Sequence, residues 1–232
     1  MKSPQTWARF AGLLYMVNIA ASVFALVVMK GIVVANDAAK TAANILANET
    51  MFRMASAAII FAGVVYVAVV AILYVLMKPA SAILSTIAAF LGLAGCAIGA
   101  STGLHQIGAL LYLSDAAYLN AFSAEQLQTM ARLGMRAAGH GNTIALGFFG
   151  SYCLTLALLV FRARFMPRWL GLLLLLAGAG WIVGVLTSLL KPSLGFAATL
   201  LPVSGLGEAL FTLWLLFMGV NEKKWCEQAT SD

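Results

Sequence analysis

Six stretches of about 20 to 30 mostly apolar residues follow one another along this chain of 232 residues, with only short polar breaks between them. A bilayer crossing needs about 20 such residues, and in hydrocarbon the backbone must satisfy its own hydrogen bonds, so each stretch reads as a transmembrane helix. The stretches fall at about 10–34, 52–77, 83–113, 135–161, 169–190 and 197–220. Only 9% of the residues are charged, against roughly 25% in an ordinary soluble domain. A water-exposed surface cannot be built from that. The expected fold is all-α: an integral membrane bundle of six transmembrane helices with short interfacial helices, forming a single polytopic domain over 1–232. The first stretch follows Lys2 and Arg9, and Val33-Val34-Ala35 loosely resembles a signal-peptidase site. Its apolar run nevertheless exceeds the roughly 7 to 15 residues of a signal peptide, so it is expected to be the first span.

The breaks carry their own signals. Asn36 and Asp37 can cap a short helix whose Ala38, Ala42, Ile45 and Leu46 fall at helical spacing, which suits a segment on the membrane surface. Lys78-Pro79 marks a tight turn, because proline cannot continue a helix and biases the residue before it away from helical geometry. Ser114-Asp115 and the capping-box pattern Ser123-x-x-Gln126 are expected to start two short helical pieces, with 124–133 at the interface. Pro202 either opens or kinks the sixth span, and a short polar tail follows it.

The formal net charge of +6 does not point to nucleic acid, because the basic residues sit at the ends of apolar stretches rather than along a polar face. It reads as topology. With six spans, one side holds Lys2, Arg9, Lys78, Arg162, Arg164, Arg168, Lys223 and Lys224, eight of 14 basic residues. Arg162-Ala-Arg-Phe-Met-Pro-Arg168 and Lys223-Lys224 directly abut their spans, where the positive-inside rule is strongest, so both termini are expected in the cytoplasm. Cys96, Cys153 and Cys226 have no paired spacing and read as packing residues rather than a disulfide frame or a zinc motif.

Polar residues inside a span are expensive in hydrocarbon, which makes them the default site candidates. Arg136, His140, Thr143, Gly147 and Ser151 recur at three- and four-residue steps on the fourth span; Ser101 and Thr102 accompany His105 on the third; Ser204 and Thr212 flank Glu208 on the sixth; the first adds Tyr15, Asn18 and Ser22. Counting inward at about 1.5 Å per residue places Arg53, His105, Arg136 and His140 in an outer layer and Glu208 near the midplane. Glu208, Asn18, Ser151, Thr212, Arg53 and Arg136 are therefore the expected ligand-binding set. Glu208 itself is expected to be neutral or paired, with Asn18 and Ser151 as candidate neighbours. Imidazoles on facing helices would suit a metal or haem, which makes His105 and His140 the candidate ligands of such a group; two histidines near a wet interface can equally hydrogen-bond to hydroxyls and water.

Gly95-x-x-x-Gly99-x-x-x-Gly103 and Gly180-x-x-x-Gly184 present small faces that permit close helix approach. No phosphate-binding glycine loop, nucleophile elbow, H-E-x-x-H or paired-cysteine motif occurs, so no reaction is identified. Three functions fit. The first is a protein that binds or transports a small or amphipathic molecule in an intramembrane cavity. The alternatives are a membrane-embedded metal- or haem-binding enzyme or redox protein, and a structural or regulatory membrane subunit. Expected partners are membrane lipids, a small or amphipathic ligand and a second copy of the chain, with no nucleic acid.

Four local patterns carry a resemblance: Ala11-Gly-Leu-Leu-Tyr15; Ala42-Ala-Asn-Ile-Leu-Ala47 leading to Phe52-Arg53; His140-Gly141 before Gly147-Phe-Phe-Gly150; and Gly207-Glu208 before Trp214-Leu-Leu. Over nearly its whole length the chain resembles a bacterial family of multi-span membrane proteins known only as a domain of unknown function. The resemblance implies a helical membrane fold, a place in the bacterial cytoplasmic (inner) membrane, and recurring polar positions at Arg53, His140 and Glu208. It implies no activity, and it gives His105 no counterpart.

Overall fold

The computed structural model describes residues 3–191 and 196–230, and the side chains of 196–203 lie outside that description. Among the described residues the chain is helical without strands: α1 (Pro4–Ile32), α2 (Ala38–Ala47), α3 (Glu49–Met77), α4 (Ala82–Tyr112), a 3₁₀ turn (Ala117–Ala121), α5 (Ala124–Arg162), α6 (Arg168–Leu190), α7 (Phe196–Phe217) and α8 (Glu222–Ala229). Five of these, α1, α3, α4, α5 and α6, are long and apolar enough to cross a bilayer. The count reaches six when Ser204–Phe217 is taken with Glu222–Ala229 across a 97° bend. Alone, the 22 residues of α7 reach roughly 33 Å, enough for a crossing. Large apolar side chains point outward along these helices, with Val64, Phe90 and Leu104 65%, 70% and 72% exposed. Lipid is the solvent such a surface requires. The chain is a multi-pass membrane protein.

Most element ends follow from local chemistry. Asp37 accepts from the Lys40 N–H at 2.8 Å and so caps α2, while Asn36 takes a left-handed φ of 60° to turn the chain out of α1. The Ser123–Gln126 capping box forms in both directions, Ser123 N–H to Gln126 Oε1 at 2.8 Å and Gln126 N–H to Ser123 Oγ at 3.2 Å. Between α3 and α4, Ala80 N–H bonds Met77 C=O at 2.9 Å and Ser85 Oγ reaches back to Tyr74 C=O at 2.5 Å.

Three expectations change. The capping box opens no separate interfacial piece, because 124–133 is the first part of the 39-residue helix α5. Pro202 does not open the sixth helix, which begins at Phe196. The polar tail after the sixth span is itself a helix, α8, capped by Asn221, which accepts from Lys224 N–H at 3.0 Å.

The chain divides into two compact units. The first takes Met1–Asn18, Val64–Cys96 and Thr143–Asp232, as far as these are described. At one end of it, several termini and turns are stitched together. Ser3 Oγ and Gln5 N–H donate to Glu222 at 2.9 and 3.3 Å, Gln5 Nε2 to Met218 C=O at 2.8 Å, and Trp225 Nε1 to Leu76 C=O at 2.8 Å. Asn221 N–H bonds Phe165 C=O at 3.1 Å. The start of α1, the end of α3, the α5–α6 linker and α8 thus share one end, which is what an even number of crossings requires. The second unit takes Ile19–Gly63 and Ala97–Asn142. Its centre is apolar: Ile32, Ile45, Phe52, Ala109, Leu110, Ala131 and Met135 pack together under Val28, Met29, Val33 and Leu113.

Candidate functional site

Within the first unit the polar interior converges on Glu208, in the middle of α7. Four-residue steps put Ser204, Glu208 and Thr212 on one face of that helix; Ser204 and Thr212 are fully buried, and Thr212 Oγ1 donates to the Glu208 backbone carbonyl at 2.8 Å. The half-buried carboxyl of Glu208 receives donors from two other helices. Tyr15 O–H, from α1, donates to Oε2 at 2.5 Å. Trp181 Nε1–H, from α6, donates to Oε1. The buried Cys153 of α5 lies close to the carboxyl. Behind these, Tyr66 O–H of α3 donates to the Tyr15 oxygen at 2.9 Å, so a chain of hydroxyls runs from α3 through α1 to α7. Among the described residues the ion pair is Arg53 with Glu49, so Glu208 is met by neutral donors rather than by a cation.

Aromatic packing fixes the donors. Tyr66 meets Tyr15, Phe149 and Tyr152 edge-on, at centroid distances of 4.9, 5.3 and 6.1 Å. The rings fit because small residues let the helices approach: a Cβ on Gly178 would lie 2.7 Å from Gly150 C=O, one on Gly150 2.9 Å from Trp181 Cβ, and one on Gly95 2.9 Å from the Phe149 ring. Tyr152 is 1% exposed, and its hydroxyl has no partner among the described residues.

The other expected residues fall elsewhere. Ser151 Oγ bonds Gly147 C=O on its own helix at 3.0 Å, and the α5 side chain near Glu208 is Cys153. Asn18 is half-buried on α1, and the α1 hydroxyl at the carboxyl comes from Tyr15, one turn earlier. Arg53, Arg136, His105 and His140 belong to the second unit, and all four are exposed. This corrects the expectation that they face the interior. The buried face of α4 carries Thr102, Gln106 and Ala109, which leaves Ser101 and His105 turned outward; on α5 the buried stripe is Ala131, Met135 and Ala138, which leaves Arg136 and His140 outside. Arg53 lies along its own helix, paired with Glu49 at 2.7 Å. Among the described residues no group of three or more histidine, cysteine, aspartate or glutamate side chains could hold a metal ion. Gly184 has open space where a Cβ would stand, and the close contacts on α6 fall at Gly171 and Gly178.

Sequence reasoning named Tyr15 among the polar residues of the first span but missed Trp181, Tyr66 and one cation. Trp181 and Tyr66 were hidden among apolar neighbours. Arg132 is half-buried in the second unit, where Nη1 donates to Val34 C=O and to Thr41 Oγ1, the latter at 3.4 Å; its buried Nε has no partner among the described residues. An arginine among three apolar neighbours in a segment read as interfacial gave little sign of this.

A family model described as "Domain of unknown function (DUF4386)" matches residues 10–219. An uncharacterised protein of the archaeon Archaeoglobus fulgidus is 38% identical over 72 residues, which are 31% of this chain and 42% of that protein. The match therefore spans less than half of the relative's length. No solved structure matches.

Proposed function

The chain belongs to the DUF4386 family, a domain of unknown function, and from that premise we propose that it binds or transports a small or amphipathic molecule at an intramembrane site centred on Glu208. The observation that carries this reading is a carboxyl in mid-span, held by Tyr15 and Trp181 from two other helices. An ionisable group at that depth is costly and is by default a functional one. The nearby hydroxyl of Tyr152, buried without a partner among the described residues, adds a second polar group that a ligand could satisfy. A suitable ligand offers a hydrogen-bond donor to the carboxyl and a polar group to that hydroxyl. Asn18 and Ser151, in the same unit, keep a place only as residues along an approach to the site.

The basic residues around Arg162, Arg164, Arg168, Lys223 and Lys224 support a cytoplasmic placement of both termini. The proposed compartment is the bacterial cytoplasmic (inner) membrane. A second reading, a helix clasp without a ligand, is favoured by one feature: both carboxyl oxygens already accept from protein donors.

Mass spectrometry of small molecules released on denaturing the purified protein separates the two. The binding reading expects species enriched in the parent and lost in Glu208→Gln and Tyr152→Phe at equal folded yield. Identical profiles in all three proteins would leave the clasp.

A further inference from the structure

The end of the first unit where the chain's basic residues gather contains an open recess of about 440 Å³, with Arg164, Trp214, Met218, Gly219, Asn221 and Lys224 among the residues that line it. Its construction starts at the end of α7. Met218 and Gly219 N–H both bond Trp214 C=O at 2.9 Å, and Gly219 takes a left-handed φ of 65°, which stops the helix. The chain then bends by 97° into α8. Trp225 anchors that helix through Leu76, leaving Glu222, Lys223 and Lys224 on its exposed side. The α5–α6 linker is pinned beside it: Arg164 N–H donates to Gln228 Oε1 at 2.8 Å, and Gln228 Nε2 donates to Arg162 C=O at 3.2 Å.

These bonds use backbone groups at Arg164 and Lys224 and leave both cationic side chains exposed, with no ion pair among the described residues. The nearest acid in sequence on α8, Glu222, is turned to Ser3 and Gln5 at the start of α1. The recess also has an apolar part: Met218 is 58% exposed, and the half-buried Trp214 meets Trp169 edge-on at 5.3 Å. Tryptophan at the end of a span marks the depth of lipid headgroups. Two unneutralised cations over an exposed methionine and an indole, beside a helix bent out of the span, match an amphipathic anion in charge and in polarity.

We propose that this recess binds the headgroup of an anionic phospholipid, with the phosphate between Arg164 and Lys224 and the upper acyl chain along Met218 and Trp214. Basic recesses between spans are a known setting for anionic lipid, and the volume falls in the roughly 300–1,000 Å³ range of ligand sites. A free anion would use only the cationic half. The site is independent of the reading of Glu208 and of which leaflet this end occupies.

The test uses the full chain in neutral detergent, stripped of co-purifying lipid. It is titrated with phosphatidylglycerol or with phosphatidylcholine of the same acyl chains, and bound lipid is counted by native mass spectrometry. Phosphatidylglycerol is expected to bind at least tenfold more tightly than phosphatidylcholine. Arg164→Gln with Lys224→Gln should remove that preference, whereas Lys30→Gln with Lys40→Gln, which deletes the same charge at exposed positions in the second unit, should preserve it. Met218→Ser, a change at an exposed position that leaves the charge intact, should weaken the lipid several-fold. Equal affinity for the two lipids overturns the proposal, and so does equal weakening by the two double variants. Competition by inorganic phosphate as strong as that by the whole lipid would assign the recess to a soluble anion instead.

Discussion

The two units handle polarity in opposite ways. The first encloses a carboxyl and surrounds it with aromatic donors from α1 and α6, with Tyr66 of α3 behind them. The second has an apolar centre and turns Arg53, Arg136, His105 and His140 outward, while Arg132 is half-buried against a backbone carbonyl and the buried polar side chains, Thr41, Ser56, Thr102 and Gln106, are uncharged. A stripe of polar residues at helical spacing thus has two outcomes. Periodicity shows that residues share a face, and packing decides whether that face looks in or out. In the first unit, close glycine contacts draw α5 and α6 together around Trp181; in the second, the interior is already filled by Ile45, Phe52 and Met135.

The contrast can be broken most sharply at its centre. Glu208→Leu strands the Tyr15 hydroxyl and the Trp181 N–H, at about 1–3 kcal/mol for each unpaired group. A large fall in thermal midpoint and in folded yield is expected, and unchanged stability would remove Glu208 from the centre of the first unit. Gly178→Val should cost about 1–3 kcal/mol, because its side chain would press on the Gly150 carbonyl and on Leu154. Gly184→Ala meets open space, so it should be neutral or stabilise by up to about 1 kcal/mol. Comparing the two midpoints checks which α6 face packs. Arg132→Met should cost about 1–2 kcal/mol through loss of its bond to Val34, against roughly 0.5 or less for Arg136→Met at its exposed position. Equal effects would erase the difference drawn between these two arginines. The smallest effects are expected for His105→Ala and His140→Ala, each within about 0.5 kcal/mol by the same assay.

The helices were legible because apolar length is a strong signal: the span at 52–77 lies within Glu49–Met77 and the one at 169–190 within Arg168–Leu190. Asp37 and the Ser123–Gln126 pair were legible as caps because short polar side chains satisfy free N–H groups at a fixed offset. The continuity of α5 was not, because the polar start of 124–133, with Arg132 in it, read as a separate interfacial piece while the backbone runs on through it. Nor was α8, whose charges read as tail although Trp225 buries one side of it. Glu208 stood out as a carboxylate in an apolar run. Trp181 and Tyr66 did not, since tyrosine and tryptophan add to hydrophobic length while each carries one polar atom. Asn18, chosen for polarity and estimated depth, sits one turn from Tyr15, the α1 group that bonds the carboxyl, and Ser151 bonds within its own helix.

The carboxyl–aromatic centre is tested most directly by a double-mutant cycle between Tyr15 and Glu208, read as thermal midpoints of the parent, Tyr15→Phe, Glu208→Gln and the combined variant. In Glu208→Gln the amide oxygen can still accept from Trp181, and its NH₂ can donate to a Tyr15 hydroxyl that turns to receive it, so the fold should persist with a reduced midpoint. If the bond at 2.5 Å joins the two side chains, the combined variant should be no worse than the poorer single variant, with a coupling of about 1–2 kcal/mol. Losses that simply add would contradict a site centred on Glu208.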